Sequence, residues 1–98
     1  MTRQVSLSVN DAPISLDYFV QAFIDHTVSG MIESLEGTAP VKTATLAIDG
    51  ERVSVTLNGA PVPINAFVSK ILRSTTSGMV SPLKGVRTVE KLRIEVSR

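Results

Sequence analysis

Residues 5–49 and 53–97 align on each other without a gap at a constant offset of 48. Of the 45 aligned positions 14 are identical, where unrelated sequences would share roughly three. The shared set includes Asn10/Asn58, Ala12/Ala60, Pro13/Pro61, Phe19/Phe67, Gly30/Gly78, Met31/Met79, Leu35/Leu83 and Gly37/Gly85. This constrains the fold more than any other feature. A half of this length cannot bury a sufficient apolar core alone, so the two copies are expected to complete one core between them. The chain of 98 residues therefore reads as a single domain, residues 1–98, built of two repeats, about 1–49 and 50–98.

Each copy opens with a hairpin pattern. Asn58-Gly59 is a strong type I′ turn signal and Asn10-Asp11 its weaker counterpart. Turns at these sites set Val9 opposite Ala12, Leu7 opposite Ile14 and Val5 opposite Leu16. In the second copy Leu57 faces Ala60, Val55 faces Val62 and Val53 faces Ile64. Every such pair is apolar on both sides, while Ser6, Ser8, Ser54 and Thr56 point to the other face; a slip of one residue would destroy the match. Pro13, Pro61 and Pro63 fall at non-hydrogen-bonded positions, where the missing N–H points outward, which places the second strand of each hairpin at a sheet edge. Asp49-Gly50 reads as a third turn, joining the copies and setting Leu46 opposite Val53 and Ala44 opposite Val55.

A helix follows each hairpin. Asp17 and Asn65 are N-caps at equivalent positions. Phe19, Phe23, Met31 and Leu35, with Val20, Ile24, Val28 and Ile32 beside them, keep the helical period expected of a core-facing surface. Gly37 and Gly85 suit the left-handed position after a helix, and Pro82 predicts that the second helix stops or bends a turn early. Alternating strands, Thr43–Ile48 and Lys91–Val96, close the copies. The expected fold class is thus α+β: a two-layer sandwich of tandem ββαβ repeats forming one mainly antiparallel sheet, ordered 2-1-6-3-4-5, with both helices on one face. A ferredoxin-like βαββαβ plan, without the short edge strands, is the alternative. Glycine inside a helix costs about 1 kcal/mol relative to alanine, so its recurrence at Gly30 and Gly78 suggests close approach of the two helices. Acidic Asp17, Asp25, Glu33 and Glu36 in or beside helix one, against Lys70, Arg73 and Lys84 in helix two, support their pairing.

Little in the chain points to catalysis. It has no cysteine and a single histidine. His26 has Asp25 and Thr27 as neighbours, but adjacent helical residues diverge, so it reads as a surface or boundary histidine. Asp17, Asp25 and Glu33 read as an ordinary solvated face, and no metal or cofactor is expected. Gly78 to Gly85 lacks the ending and the strand-to-helix context of a phosphate-binding loop. Thr27, Ser29, Gly30, Thr75, Ser77 and Gly78 recur at matched sites and are the candidate ligand or helix-contact residues. The net charge of +1 gives no electrostatic case for nucleic acid or for an anionic membrane. No apolar run reaches the roughly 18–20 residues of a spanning helix, and a soluble, cytoplasmic protein is expected. Ser6, Ser8, Thr43, Thr45, Ala47, Ser54, Thr56 and Pro61, with Arg52, Lys91 and Arg93 among them, form the other sheet face. It lacks the aromatics an RNA platform needs; such a face is expected either to stay solvated, as open antiparallel sheets commonly do, or to be covered by another protein or a second copy.

The run from Leu57 to Val86, with its Val-Asn-Gly-like turn, Pro63-Ile64-Asn65, Phe67-Val68, Ser77-Gly78-Met79-Val80-Ser81 and Leu83-Lys84-Gly85-Val86, resembles a group of short uncharacterised prokaryotic proteins. Each of them looks like one copy of this unit; the first copy here departs at Asp11 and Glu36. The resemblance implies no catalytic residue, and it implies that a lone unit dimerises. Together these readings favour a small non-enzymatic association module, with a small-ligand site between the helices as the alternative.

Overall fold

The computed structural model describes residues 4–35, 40–86 and 88–97. The elements run β1 (Gln4–Val9), β2 (Ala12–Ile14), α1 (Tyr18–Glu33), β3 (Thr43–Asp49), β4 (Arg52–Leu57), β5 (Ala60–Val62), α2 (Ala66–Val80) and β6 (Lys91–Ser97). The strands form one six-stranded sheet ordered β2-β1-β6-β3-β4-β5, antiparallel at every pairing. Exchanging each element for its counterpart 48 residues away leaves this order unchanged when it is read from the opposite edge. The short edge strands are present, so the four-stranded ferredoxin-like alternative is not the plan of this molecule.

Both hairpins have the expected register: Leu7 faces Ile14 and Val9 faces Ala12, as Val55 faces Val62 and Leu57 faces Ala60. Asn10 and Asp11 take φ of 52° and 66°, and Asn58 and Gly59 take 51° and 85°, the two consecutive left-handed residues that a type I′ turn requires. Pro13 and Pro61 lie on β2 and β5, the two edges.

The turn between the copies differs from the expectation by one residue at its centre. Asp49 pairs with Arg52, Leu46 with Val55 and Ala44 with Leu57, so Gly50-Glu51 is the turn and the register moves by two. Gly50 has φ +62°, and a hairpin turn with positive φ at its first central residue alone is satisfied by glycine there. A shift of two leaves every side chain on its original face, and the apolar pattern therefore could not have told the two registers apart.

Across all six strands the pairings string Ile14, Leu7, Ile94, Leu46, Val55 and Val62 into one apolar row. Rows above and below it contain Val9, Leu92, Ile48, Val53 and Val5, Val96, Ala44, Leu57. Onto this face pack Ile24, Val28 and Ile32 of α1 and Leu72 and Val80 of α2. At about 25 cal/mol per Å² of apolar surface removed from water, this layer is the main stabilising contribution.

Asp17 and Asn65 cap the helices as expected, each accepting a 2.8 Å bond from the third residue on, Val20 and Val68. The helices end at Glu33 and Val80, capped at Ser34 and Ser81. Gly85, φ +91°, therefore serves a later turn and not the end of α2; Gly37 lies outside the described residues.

Asn10 and Asn58 do more than turn the chain. The Asn10 side-chain oxygen accepts from the backbone N–H of Glu90 and Lys91, both at 2.9 Å, and its amide donates to the Thr88 carbonyl. The Asn58 oxygen accepts from Lys42 and Thr43 at 2.9 and 3.0 Å, and its amide donates to the Pro40 carbonyl at 3.1 Å. Each asparagine thus pins the entry to the last strand of the other half.

Candidate association surface

The packing of the helices corrects two expectations. The buried stripe of α1 is Ile24, Val28 and Ile32, with Asp25 and Ser29; that of α2 is Leu72, Thr76 and Val80. Phe19 and Phe23 do not belong to the core. Asp25 is not on a solvated face but fully buried, its carboxylate accepting a 2.9 Å bond from the Ser29 hydroxyl one turn on. Glu33 is exposed and accepts from the Val41 backbone N–H at 3.1 Å, and His26 is exposed.

Gly30 and Gly78 are exposed, and a Cβ built on either meets nothing within 4 Å. The glycines are therefore not where α1 and α2 approach each other. The candidate residues divide among several environments. Ser29 is buried and bonded to Asp25. Thr27 borders an apolar notch with Phe19, Ala22, Phe23 and His26. Ser77 borders a separate crevice with Arg73, Ser74, Gly50 and Val89, and Thr75 is exposed. The structure does not bring the six together.

The open side of the sheet is flat and polar. Its central strand β6 contributes Lys91, Arg93 and Glu95, all exposed. The Arg93 Nε donates to Glu95 Oε1 at 2.7 Å, and Lys91 Nζ lies 3.7 Å from Asp11 Oδ2. Around them stand Ser6, Ser8, Thr45, Ser54 and Thr56. Covering this face would strip water from three charges at its centre, a cost that a flat partner surface repays only with matched groups.

The other side of the molecule is different. The three phenylalanines of the chain, Phe19, Phe23 and Phe67, stand on the helix faces turned away from the sheet, and Tyr18 is exposed at the start of α1. The phenylalanine exposures are 73%, 52% and 70%, and Ile71 joins them at 44%. Phe19 and Phe23 stand with ring centroids 6.2 Å apart and flank the notch of about 410 Å³ next to Thr27. On α1 the outward stripe is Phe19, Phe23, His26, Gly30; on α2 it is Phe67, Ile71, Ser74, Gly78, all exposed. The spacing of four, three and four residues keeps each set on one helix face.

This surface is not legible in the sequence of α1, which is apolar nearly all round, at Phe19, Val20, Phe23, Ile24, Val28, Met31 and Ile32. Two stripes satisfy the helical period equally. The second copy carries a usable signal: Lys70 and Ser74 flank Phe67 and Ile71, so the stripe of Leu72 and Val80 is the one free of charge.

Among the described residues no group of three or more His, Cys, Asp or Glu is placed to hold a metal ion, and no helix is long and apolar enough to cross a membrane. No protein-family model matches the chain, and no curated protein or solved structure matches it.

Proposed function

We propose that this chain is a non-enzymatic protein-association module that docks through the outer faces of α1 and α2. The observation that carries the reading is the exposure of all three phenylalanines on the helix faces turned away from the sheet. Aromatics are the residues that dominate binding hot spots, and they are costly to leave in water. The sequence had pointed to the open sheet face as the partner surface; the charges of β6 favour the helix layer instead. The edges are also poor partners, since β2 and β5 are three residues long and each carries a proline, which blunts strand addition. A small-ligand site between the helices loses support because the Ser29 hydroxyl is committed to Asp25 and Thr75 faces water.

The test is site-specific photo-crosslinking in cells that express the chain, with the photoreactive residue at Phe19 or Phe67 and, separately, at Ser6 or Ser54. Adducts from the helix positions alone support the reading. Adducts from the sheet positions alone, or from none, refute it.

A further inference from the structure

We infer that the partner of the helix layer is a second copy of this chain, packed so that α1 of each protomer lies antiparallel on α2 of the other. This rests on the association reading above and supplies its occupant.

The two outward stripes are complementary in shape. Each carries bulky side chains near the helix start, Phe19 and Phe23 on α1, Phe67 and Ile71 on α2. Each then carries a bare glycine further on, Gly30 or Gly78, over which a Cβ would meet nothing. Both glycines lie eleven residues after the first phenylalanine, about 16 Å along the axis at 1.5 Å per residue. Set antiparallel, Phe19 of one copy falls at Gly78 of the other while Gly30 falls at Phe67. A mid-helix glycine with no neighbour inside its own molecule weakens the helix without return, and an approaching helix gives it a role. The notch between Phe19, Ala22 and Phe23 offers a seat for an apolar side chain from α2 of the other copy.

Charge selects the pairing. With Asp25 buried against Ser29, the charge that α1 presents to solvent is Glu33, whereas α2 presents Lys70 and the half-buried Arg73 and contains no Asp or Glu. Like helices repel and unlike helices attract, so α1 on α2 is favoured over α1 on α1. A twofold axis lying in the interface satisfies both contacts at once and closes the assembly at two. At roughly 150–250 Å² per aromatic side chain, the exposed fractions of Phe19, Phe23 and Phe67, with Ile71, leave on the order of 450 Å² of apolar surface on the outward stripes. That is more than half of the ~800 Å² that each partner contributes to a standard interface.

The experiment is sedimentation equilibrium of the purified chain from low micromolar to submillimolar concentration, at low and high salt. The expected result is a species of twice the 10.5 kDa protomer mass whose dissociation constant rises with salt. Phe19→Ser and Phe67→Ser each raise that constant about tenfold or more, while far-UV circular dichroism and the melting curve show an intact fold. Lys70→Glu and Glu33→Lys each weaken the homodimer, and mixing the two variants restores a heterodimer, because both unlike contacts are then attractive again. A dimer that tightens with salt, or that ignores Phe19→Ser and Phe67→Ser, overturns the inference. So does a monomer at every concentration: if Phe19 and Phe67 still crosslink to another protein in cells, the association reading stands and only the self-partner fails. Absence of helix-face adducts removes the reading itself.

Discussion

Replacing Thr76 by valine should stabilise this protein. Thr76 is fully buried in α2, and its hydroxyl has no hydrogen-bond partner among the described residues. An unpaired buried hydroxyl costs about 1–3 kcal/mol by mutational measures. Valine has nearly the same shape, so no cavity or overlap offsets the gain. The protein holds its own control: the position 48 residues earlier is Val28, also buried against the same sheet face. We expect Thr76→Val to raise stability by about 1–2 kcal/mol, or roughly 4–16 °C in Tm for a domain of this size. Urea unfolding followed by circular dichroism should show a higher midpoint with an unchanged slope, since the area exposed on unfolding is the same. The reciprocal change, Val28→Thr, should cost about as much. A Thr76→Val variant that loses 1 kcal/mol or more would refute the reasoning: the hydroxyl would then be bonded in the folded state, and the two helices would not be equivalent in what they bury.

Two further pairs of positions, each matched at an offset of 48, can be probed in the same way. Asn58→Ala removes three side-chain bonds to residues 40–43 and puts a residue with a Cβ but no polar group at φ +51°; a loss of about 2–4 kcal/mol in urea unfolding is expected, with Asn58→Gly recovering only the conformational part. Asn10→Ala should behave alike. Gly30→Ala and Gly78→Ala, measured on protein dilute enough to be monomeric, should each stabilise by up to about 1 kcal/mol, because the new methyl meets nothing and alanine is the better helix former; destabilisation would mean that α1 and α2 do meet at these glycines.

The strand order is legible from the repetition at an offset of 48, since β1 and β6 pair from opposite ends of the chain. Hairpin register and helix caps are legible for a different reason, which they share: each depends on contacts at short spacing. Asn58-Gly59 demands left-handed backbone at two adjacent residues, alternation assigns a face to every strand residue, and Asp17 and Asn65 reach only to the third residue on. The register across Gly50-Glu51 was not legible, since a shift of two residues preserves every face and only the backbone geometry of the turn distinguishes the choices. Nor was the role of Asn10 and Asn58 in holding the opposite half, because the residues they bond lie about 80 and 16 positions away.

The surface was decided by tertiary structure alone. Periodicity shows that a helix has an apolar stripe, yet α1 offers two, and which one turns inward depends on how sheet and helix fit. Ile24, Val28 and Ile32 meet the branched side chains of the sheet rows; Phe19 and Phe23 are left in water as a consequence. The same choice buried Asp25 beside Ser29 and placed Gly30 on the outside. The sequence by itself determined the elements, through local backbone preference and alternation, and pointed to their order through its repetition at an offset of 48. Only the packed molecule determined which apolar residues became core and which became a binding face, because that is a competition between stripes of nearly equal hydrophobicity, settled by shape.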